Sequence, residues 1–342
     1  TPNIERVAGN ATVYENAITP SPWTLPAHAS VLSGLYPSHH GTTRSNAQFA
    51  EEIEFLPEIF GKAGYETACI SANKLLFQDP VLRDSFDRSV LTTRRFPTET
   101  PERGYVELRE GYQGVNFQTL DEFLTFARVD DTSLLDVMNL FDRFWRNKVL
   151  DGKSIQSAAK NVAEFERVFD SSRDNFVLLN FMDTHLRYEP LDRFLEEVLP
   201  PKLAAEDLED VNQNSRLYNY ANEVSMSEKD FRRLQVLYDG AYRTVDHFVG
   251  QVYDYLVESG QFDNTLFVVL GDHGENLGEN GKMGHSLSVS DYVCHVPLIV
   301  SYPQQRDGNR VDSLVQTHDV FRTVLKEVDV EPGDTVGDWR SD

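Results

Sequence analysis

The chain has 342 residues, and its 32 Lys and Arg against 55 Asp and Glu give a formal net charge of −23. This charge excludes a protein that binds the nucleic-acid backbone, because no basic excess is present to displace phosphate counterions. The hydrophobic content of 40% and the aromatic content of 11% exclude a wholly disordered chain.

The hydrophobic spacing predicts helices that alternate with short apolar strands along the chain. The predicted helices span residues 55–63, 154–169, 237–256 and 317–327. The predicted strands span residues 65–71, 176–182, 265–270 and 293–302. Alternation of this kind is typical of an α/β fold, in which helices cover both faces of a parallel sheet.

Two stretches do not follow this alternation. Residues 80–150 mix Arg, Asp and aromatic side chains, and residues 189–233 are interrupted by Pro and then strongly acidic. We interpret both as insertions above a sheet edge, within a single domain of residues 1–342.

The basic residues are unevenly divided, with 9 Lys against 23 Arg. A net charge this far from zero makes a compact chain repel itself unless salt screens the charges. We therefore expect a halophilic, haloarchaeal-type protein. The alternative is an acidic face that binds a basic partner.

The two cysteines, Cys69 and Cys294, lie in apolar runs, and we expect small buried side chains rather than a disulfide. No run approaches the roughly 18 to 20 apolar residues of a membrane span, so no transmembrane segment is expected. The absence of a basic, apolar leader favours the cytoplasm, and because the chain starts at Thr1 without Met, we expect a further segment upstream.

The first candidate catalytic side chain is Thr24, in a segment rich in Pro and small residues. Thr24 occupies the position expected of a helix N-cap, Pro26 falls in the first turn, and Gly34 provides a C-terminal stop. A hydroxyl at this position faces the free amides of the helix, which favour an anionic nucleophile and an anionic substrate group. The simpler alternative is a Thr that only caps the helix.

A second candidate site follows the predicted strand at 265–270, where Asp272 and His273 lie between two glycines. Polar side chains at the carboxyl end of a buried strand are where an α/β sheet places its site. A carboxylate beside an imidazole suits Zn, Mn or Fe, whereas Ca and Mg need more oxygen ligands. The alternative is a turn with a surface His.

Two further segments add titratable side chains. A glycine-rich loop carries Lys282 and His285, which could bind an anionic ester oxygen or protonate a leaving group. The alternative for this loop is a solvated surface turn. His185 follows the predicted strand at 176–182, and because the carboxyl ends of parallel strands meet at one edge, we expect it to lie beside the other candidate residues.

In this order, the segments resemble the sulfatase branch of the alkaline phosphatase superfamily. The similarity extends over residues 1–8, 23–37 with His40 and Gly41, 55–73, 175–188, 238–274, 284–302 and 316–325. The resemblance implies a metal-dependent hydrolase of sulfate or phosphate esters, with a doubly wound, mostly parallel central sheet flanked by helices.

The resemblance also assigns roles to individual residues. Thr24 falls on the nucleophile position, which in sulfatases is a Cys or Ser converted to formylglycine. Thr cannot yield that aldehyde, but it is the nucleophile of several phosphodiesterase and phosphotransferase relatives. The remaining roles are metal ligands, at Asp272, His273 and Thr24, and ester-contacting groups, at Lys282 and His285. His185 resembles the family's histidine that follows the middle strand, and His185 or His285 is expected to act as general base or acid.

Several departures from the family pattern count against a typical sulfatase. Ala27 and His28 replace a small hydroxyl residue and an arginine of the nucleophile motif, and Ala72 and Lys74 replace a Lys and a His after the second strand. The family's first strand, with one or two acidic metal ligands, is missing here and is expected just upstream of Thr1. The alternative is therefore a catalytically impaired binding or scaffolding protein with the same fold.

We expect a metal-dependent hydrolase of sulfate, phosphate or phosphonate esters that uses Thr24 as its nucleophile. The expected cofactor is a divalent metal ion, Ca, Mg, Mn or Zn. The expected substrate is a small-molecule or glycan ester, with no nucleic-acid partner.

Overall fold

A computed structural model describes residues 1–50, 52–92, 157–215, 217–221, 224–285 and 288–331. The α-helices of these ranges are α1 (Pro2–Ala8), α2 (Thr24–Ser33), α3 (Pro37–His40), α4 (Leu56–Lys62), α5 (Leu75–Gln78), α6 (Pro80–Asp84), α7 (Ser157–Val168), α8 (Asp192–Val198), α9 (Glu228–Glu258), α10 (Asp291–Cys294) and α11 (Asp319–Glu327). The strands are β1 (Thr12–Ile18), β2 (Glu66–Ser71), β3 (Arg88–Leu91), β4 (Asn175–Asn180), β5 (Phe267–Leu270), β6 (Asn276–Leu277), β7 (Met283–Gly284), β8 (Leu298–Ser301) and β9 (Asn309–Gln316). This mixture of helices and strands confirms the predicted α/β class.

The described strands form two main sheets and a short hairpin. In the four-stranded sheet the order is β5-β8-β1-β9; β8 runs antiparallel to both neighbours, while β1 and β9 are parallel. The three-stranded sheet, β3-β2-β4, is parallel throughout. The predicted parallel portions are thus present, but the direction reverses at β8. Strands β8 and β9 flank β1, and the short connection at 302–308 joins them in opposite directions, since joining strands in the same direction needs a crossover of about a dozen residues or more.

One predicted strand is wrong in its first half. Residues Asp291–Cys294, inside and just before the predicted strand at 293–302, form a helical turn, and the strand is confined to Leu298–Ser301. Pro297 immediately precedes the strand, and proline has no amide hydrogen to donate to a sheet.

The predicted helix at 237–256 is confirmed but longer, because α9 starts at Glu228. Ser227 and Asp230 form a capping box at this start, in which each side chain accepts from the other residue's amide. The sequence pattern did not predict β1, β3 or β9. The edge strand β9 is mostly exposed and polar, so it lacks the apolar run that marks a buried strand.

Helices pack on both faces of the strands. Strand β2 contributes Cys69 to one apolar cluster and Ile70 to the other, as the alternation of strand side chains requires. Leu32 of α2 and Phe60 of α4 belong to the first cluster, and Phe165 of α7 belongs to the second. Burial of each such side chain stabilises the fold by about 1.5 to 3 kcal/mol.

Other predictions concern the cysteines, the membrane and the insertions. Cys69 and Cys294 are free thiols; Cys69 is buried as predicted, whereas Cys294 is only half-buried. Burial raises the pKa of Cys69 to about 12. No helix in the described ranges is both long and apolar enough to cross a bilayer. From position 93 onward the stretch at 80–150 lies outside the described residues, and 189–233 contains α8; both insertions stay predictions.

Candidate active site

Thr24 opens helix α2 at the end of the loop that follows β1. Trp23, in an extended conformation, is the N-cap and Thr24 is the first helical residue, so the prediction that Thr24 is the cap is wrong by one position. Thr24 is only 5% exposed. The helix ends at Gly34, as predicted, with a φ of 71°, where a Cβ would lie 2.7 Å from the ring of Phe321. Packing against α11 therefore fixes the helix that carries the hydroxyl.

His28 lies one turn after Thr24 on the same face of α2. Its Nδ1 donates to the carbonyl oxygen of Thr24 at 2.9 Å and lies 3.6 Å from Oδ2 of Asp272. The imidazole therefore contacts both the start of the helix and the loop after β5. In the sequence His28 is only the replacement of an arginine, although its i, i+4 spacing from Thr24 is a signal that places both on one helix face.

Asp272 and His273 begin the loop after β5. The amide of His273 donates to Oδ1 of Asp272 at 3.0 Å, and Nδ1 of His273 donates to the carbonyl oxygen of Gly274 at 2.9 Å. Because Nδ1 carries this hydrogen, Nε2 of the neutral ring has a lone pair. Nε2 lies 3.4 Å from Oγ1 of Thr24 and 3.7 Å from Oδ2 of Asp272. The loop packs closely on α10, because a Cβ on Gly274 would lie 2.3 Å from the carbonyl oxygen of Tyr292.

The charge of Asp272 depends on the imidazoles beside it. Burial raises the pKa of Asp272, but His273 and His28 lower it by more, and the pKa lies below the usual value of an aspartate. Asp272 is therefore a carboxylate at neutral pH, and it can only accept hydrogen bonds or bind a cation.

His285, which follows strand β7, is a further imidazole at this site. Its Nδ1 lies 2.9 Å from Oε1 of Glu275, whose side chain is 5% exposed. The ring centroids of His285 and His273 are 4.2 Å apart, and those of His285 and His185 are 5.3 Å apart. The three imidazoles therefore form a row that begins beside Thr24.

The pKa values along this row differ. Burial lowers the pKa of His285, but its hydrogen bond to Glu275 and the charge of that carboxylate raise it by more, so the pKa lies above that of a free imidazole. Burial lowers the pKa of His185. A proton is therefore held more readily at His285 than at His185. Glu275 has no role in the sequence interpretation, because only the packing reveals its contact with His285.

His185 lies in the loop after β4, at the predicted carboxyl end. Its Nδ1 donates to the carbonyl oxygen of Leu186 at 2.6 Å. The neighbouring Asp183 accepts from the amide of Ala158 at 3.1 Å and from the hydroxyl of Ser157, both at the start of α7. Asp183 is therefore a helix cap, which leaves His185 as the side chain of this loop that reaches the imidazole row.

Lys282 lies in the turn between β6 and β7, three residues before His285. Its amide donates to the carbonyl oxygen of Glu279 and its carbonyl oxygen accepts from the amide of Gly278, each at 3.0 Å. These bonds fix the backbone of the hairpin. Contact between the ammonium group of Lys282 and an ester stays a prediction.

Nε2 of His273 lies close to one oxygen of Thr24 and one oxygen of Asp272, the three side chains predicted to bind a metal ion. Nε2 of His273 is 3.4 Å from Oγ1 and 3.7 Å from Oδ2. Two tetrahedral ligands at about 2.1 Å from one ion are themselves about 3.4 Å apart, so the donors fit part of a coordination sphere. The bond from Nδ1 to Gly274 is the outer contact that ligating imidazoles usually make. Within the described ranges, no group of three or more His, Cys, Asp or Glu side chains could hold a metal, so further ligands are needed.

Comparison with known proteins identifies one family. The family model described as Sulfatase matches residues 1–330. An arylsulfatase of Clostridium perfringens is 22% identical over 98% of this chain and 71% of its own length. A sulfatase of Formosa agariphila is 25% identical over 95% of this chain and 64% of its own length.

Solved structures of low sequence identity share the fold. A phosphonate monoester hydrolase from Silicibacter pomeroyi superposes with a TM-score of 0.60 at 18% identity, over 98% of this chain and 70% of its own. A protein solved with its substrate D-glucosamine-2-N,6-O-disulfate has a TM-score of 0.64 at 17% identity, over 98% of this chain and 73% of its own. The chain thus spans about two thirds to three quarters of the length of these proteins.

Proposed function

The chain belongs to the sulfatase family of the alkaline phosphatase superfamily, and we propose that it hydrolyses sulfate, phosphate or phosphonate esters with Thr24 as nucleophile. The observation that carries this proposal is the position of the Thr24 hydroxyl at the start of α2, 3.4 Å from Nε2 of His273. The amides of the first helical turn have no partner within the helix, and they suit the oxygens of a transferred anionic group.

The proposed cofactor is a divalent ion, Ca, Mg, Mn or Zn, held by Asp272, His273 and Thr24 together with ligands outside this set. Such an ion lowers the pKa of the Thr24 hydroxyl and polarises the ester oxygen. The proposal draws its support from the carboxylate charge of Asp272 and from the fixed tautomer of His273.

The proposed reaction has two halves. In the first, the Thr24 hydroxyl releases its proton to solvent and its oxygen attacks phosphorus or sulfur; the Thr24 ester bond forms as the bond to the leaving alcohol breaks. His285 donates a proton from Nε2 to the departing oxygen. In the second half, a water oxygen attacks the Thr24 ester and gives one proton to Nε2 of His285. The freed Thr24 oxygen regains its proton.

This chemistry favours phosphorus over sulfur. Thr gives no formylglycine, so the intermediate can be released only by attack on the ester, which suits phosphoryl transfer better than sulfuryl transfer. We therefore propose that phosphodiester or phosphonate esters are hydrolysed faster than sulfate esters. The substrate class is a small-molecule or glycan ester.

The test is a panel of nitrophenyl esters with the full chain and added divalent metal. Nitrophenyl phosphate, bis(nitrophenyl) phosphate, nitrophenyl phenylphosphonate and nitrophenyl sulfate are compared for the parent, Thr24→Ser and Thr24→Ala. We expect the phosphorus esters to be hydrolysed fastest, Thr24→Ser to keep partial activity, and Thr24→Ala to lose several orders of magnitude in rate. Equal turnover by Thr24→Ala and the parent, or a wide preference for the sulfate, contradicts the proposal.

One observation favours the alternative of a catalytically impaired binding protein. The described residues contain no group of three or more His, Cys, Asp or Glu side chains that could hold a metal ion, and Asp272 with His273 alone leaves a coordination sphere incomplete. This alternative predicts no ester turnover by any variant in the same panel, while sulfated or phosphorylated ligands still bind.

A further inference from the structure

Glu275 is a buried carboxylate at the site that the proposed reaction does not use. Its amide donates to the carbonyl oxygen of Tyr292 at 3.1 Å. The amide of Gly274 donates to the carbonyl oxygen of Val293 at 2.7 Å. These two bonds fix the backbone of Glu275 against α10. The side chain is 5% exposed, so its direction is set by protein contacts and not by water.

The contact that Glu275 makes is with the imidazole of His285. Oε1 lies 2.9 Å from Nδ1, across the β6–β7 hairpin. Gly284, which precedes His285, has a φ of 80°, a backbone conformation that residues with a side chain rarely adopt. A buried carboxylate without a partner is strongly destabilising, so this hydrogen bond has an energetic reason to persist.

Two buried tyrosines lie near enough to Glu275 to feel its charge. The rings of Tyr188 and Tyr238 are 5.2 Å apart, and the charge of Glu275 helps to raise the pKa of each above its usual value, after burial as the larger cause. Both tyrosines therefore stay neutral and add no competing negative charge beside Glu275. Nδ1 of His285 is a donor that faces the carboxylate.

We propose that Glu275 is a positioning residue, which holds His285 by Nδ1 so that Nε2 is the ring nitrogen presented to the ester. The inference rests on the proposed function only in the role that it gives to His285. Within the described ranges Nε2 of His285 has no hydrogen-bond partner, whereas Nδ1 is occupied by Glu275. A carboxylate on one ring nitrogen fixes both the tautomer and the orientation of an imidazole.

The first arm of the test needs no turnover. Histidine-ring ¹⁵N NMR of the full-length protein, assigned with His285→Ala, reports which ring nitrogen of His285 carries hydrogen. We expect an Nδ1–H signal in the parent, retention in Glu275→Gln, whose amide oxygen still accepts, and loss or strong shift in Glu275→Ala. An unchanged signal in folded Glu275→Ala overturns the proposal.

The second arm measures the leaving-group dependence of hydrolysis. We expect Glu275→Ala to lower kcat by roughly 10- to 100-fold with a smaller change in KM, and to do so most for esters of poorly acidic alcohols. Glu275→Gln should recover part of the loss. Glu228→Gln is the matched control, since that side chain is 90% exposed on α9 and should behave as the parent.

The two arms separate this inference from the proposed function. If the parent hydrolyses no ester, the proposed function fails, and the tautomer signal alone decides the role of Glu275. Circular dichroism shows whether Glu275→Ala is folded. If the parent is active and the folded variant keeps the parent's kcat and leaving-group dependence, Glu275 only stabilises the hairpin and the inference is wrong.

Discussion

The hydroxyl oxygen of Thr24 lies 3.4 Å from Nε2 of His273, although 249 residues separate the two along the chain. The contact joins the start of α2 to the loop after β5. His28 adds a second connection between the same elements, through the carbonyl oxygen of Thr24 and the carboxylate of Asp272. The proposed nucleophile and the proposed metal ligands therefore occupy one place in the fold.

Loss of the Asp272 carboxylate should remove metal and activity together. We expect Asp272→Ala to abolish tight binding of a divalent ion and to abolish turnover, because a neutral site with one imidazole is a weak ligand set. Metal content after dialysis, measured by elemental analysis, checks this expectation. Asp254→Ala is the control, since Asp254 pairs with Arg6 on the surface. Metal content in Asp272→Ala equal to that of the parent contradicts the assignment.

Asp183 and His185, two residues apart, should give opposite phenotypes. Asp183→Ala removes a cap of α7 and should lower the free energy of unfolding by about 0.5 to 2 kcal/mol, with little change in kcat. His185→Ala should lower kcat and leave the melting temperature close to that of the parent. Thermal melts and ester kinetics on both variants check the pair. A loss of kcat without destabilisation in Asp183→Ala would give Asp183 a role that the contacts do not support.

Local patterns singled out side chains that the structure brings together, while their catalytic and metal-binding roles stay predictions. Asp272 and His273 follow an apolar run, and Thr24 lies two residues before Pro26 in a helix that ends at Gly34, so local signals marked these positions. Glu275 escaped prediction, because its role depends on contact across a hairpin that no local pattern encodes.

The topology of the sheet was also predicted only in part from the sequence. The alternation of helices and strands predicted the α/β class, but the reversal at β8 and the edge position of β9 follow from strand pairing over long distances in sequence. Propensity and periodicity describe one segment at a time, whereas pairing depends on which segments meet.

Burial of His40 should make the fold sensitive to mild acid. Ser30 Oγ lies 2.9 Å from Nε2 of His40, and the amide of Thr42 donates to Nδ1 at 3.1 Å, so protonation of Nδ1 breaks a hydrogen bond. Burial lowers the pKa of His40 to about 4. Between pH 4 and about 6.5 the unfolded chain binds more protons than the folded one, so stability falls as pH falls through this window, by on the order of 2 to 3 kcal/mol.

Thermal melts from pH 7 to pH 4 measure this loss. His40→Asn is the matched variant, because its amide oxygen can accept from Thr42 and does not titrate. We expect the melting temperature of His40→Asn to fall less steeply with pH than that of the parent. Parallel profiles for the two proteins would assign the acid sensitivity to other groups.

The net charge of −23 should make folding depend on salt. Repulsion among carboxylates opposes the compact state, and the screening length shortens to about 3 Å at 1 M salt. We expect the melting temperature to rise as KCl increases from tenths of molar to molar, in support of the proposed halophilic character. Sucrose at matched osmolality serves as the uncharged control. A flat profile in KCl contradicts this proposal.

The most direct test of the central claim is detection of a covalent ester on Thr24 during turnover. The full-length protein is mixed with excess nitrophenyl phenylphosphonate and divalent metal, quenched in acid within the first turnovers, digested, and analysed by mass spectrometry. We predict that the peptide containing Thr24 gains the mass of the transferred phosphonyl group, and that Thr24→Ala shows no gain and no burst of nitrophenol. Turnover by the parent with no modification of Thr24, or with the group on another residue, contradicts the mechanism.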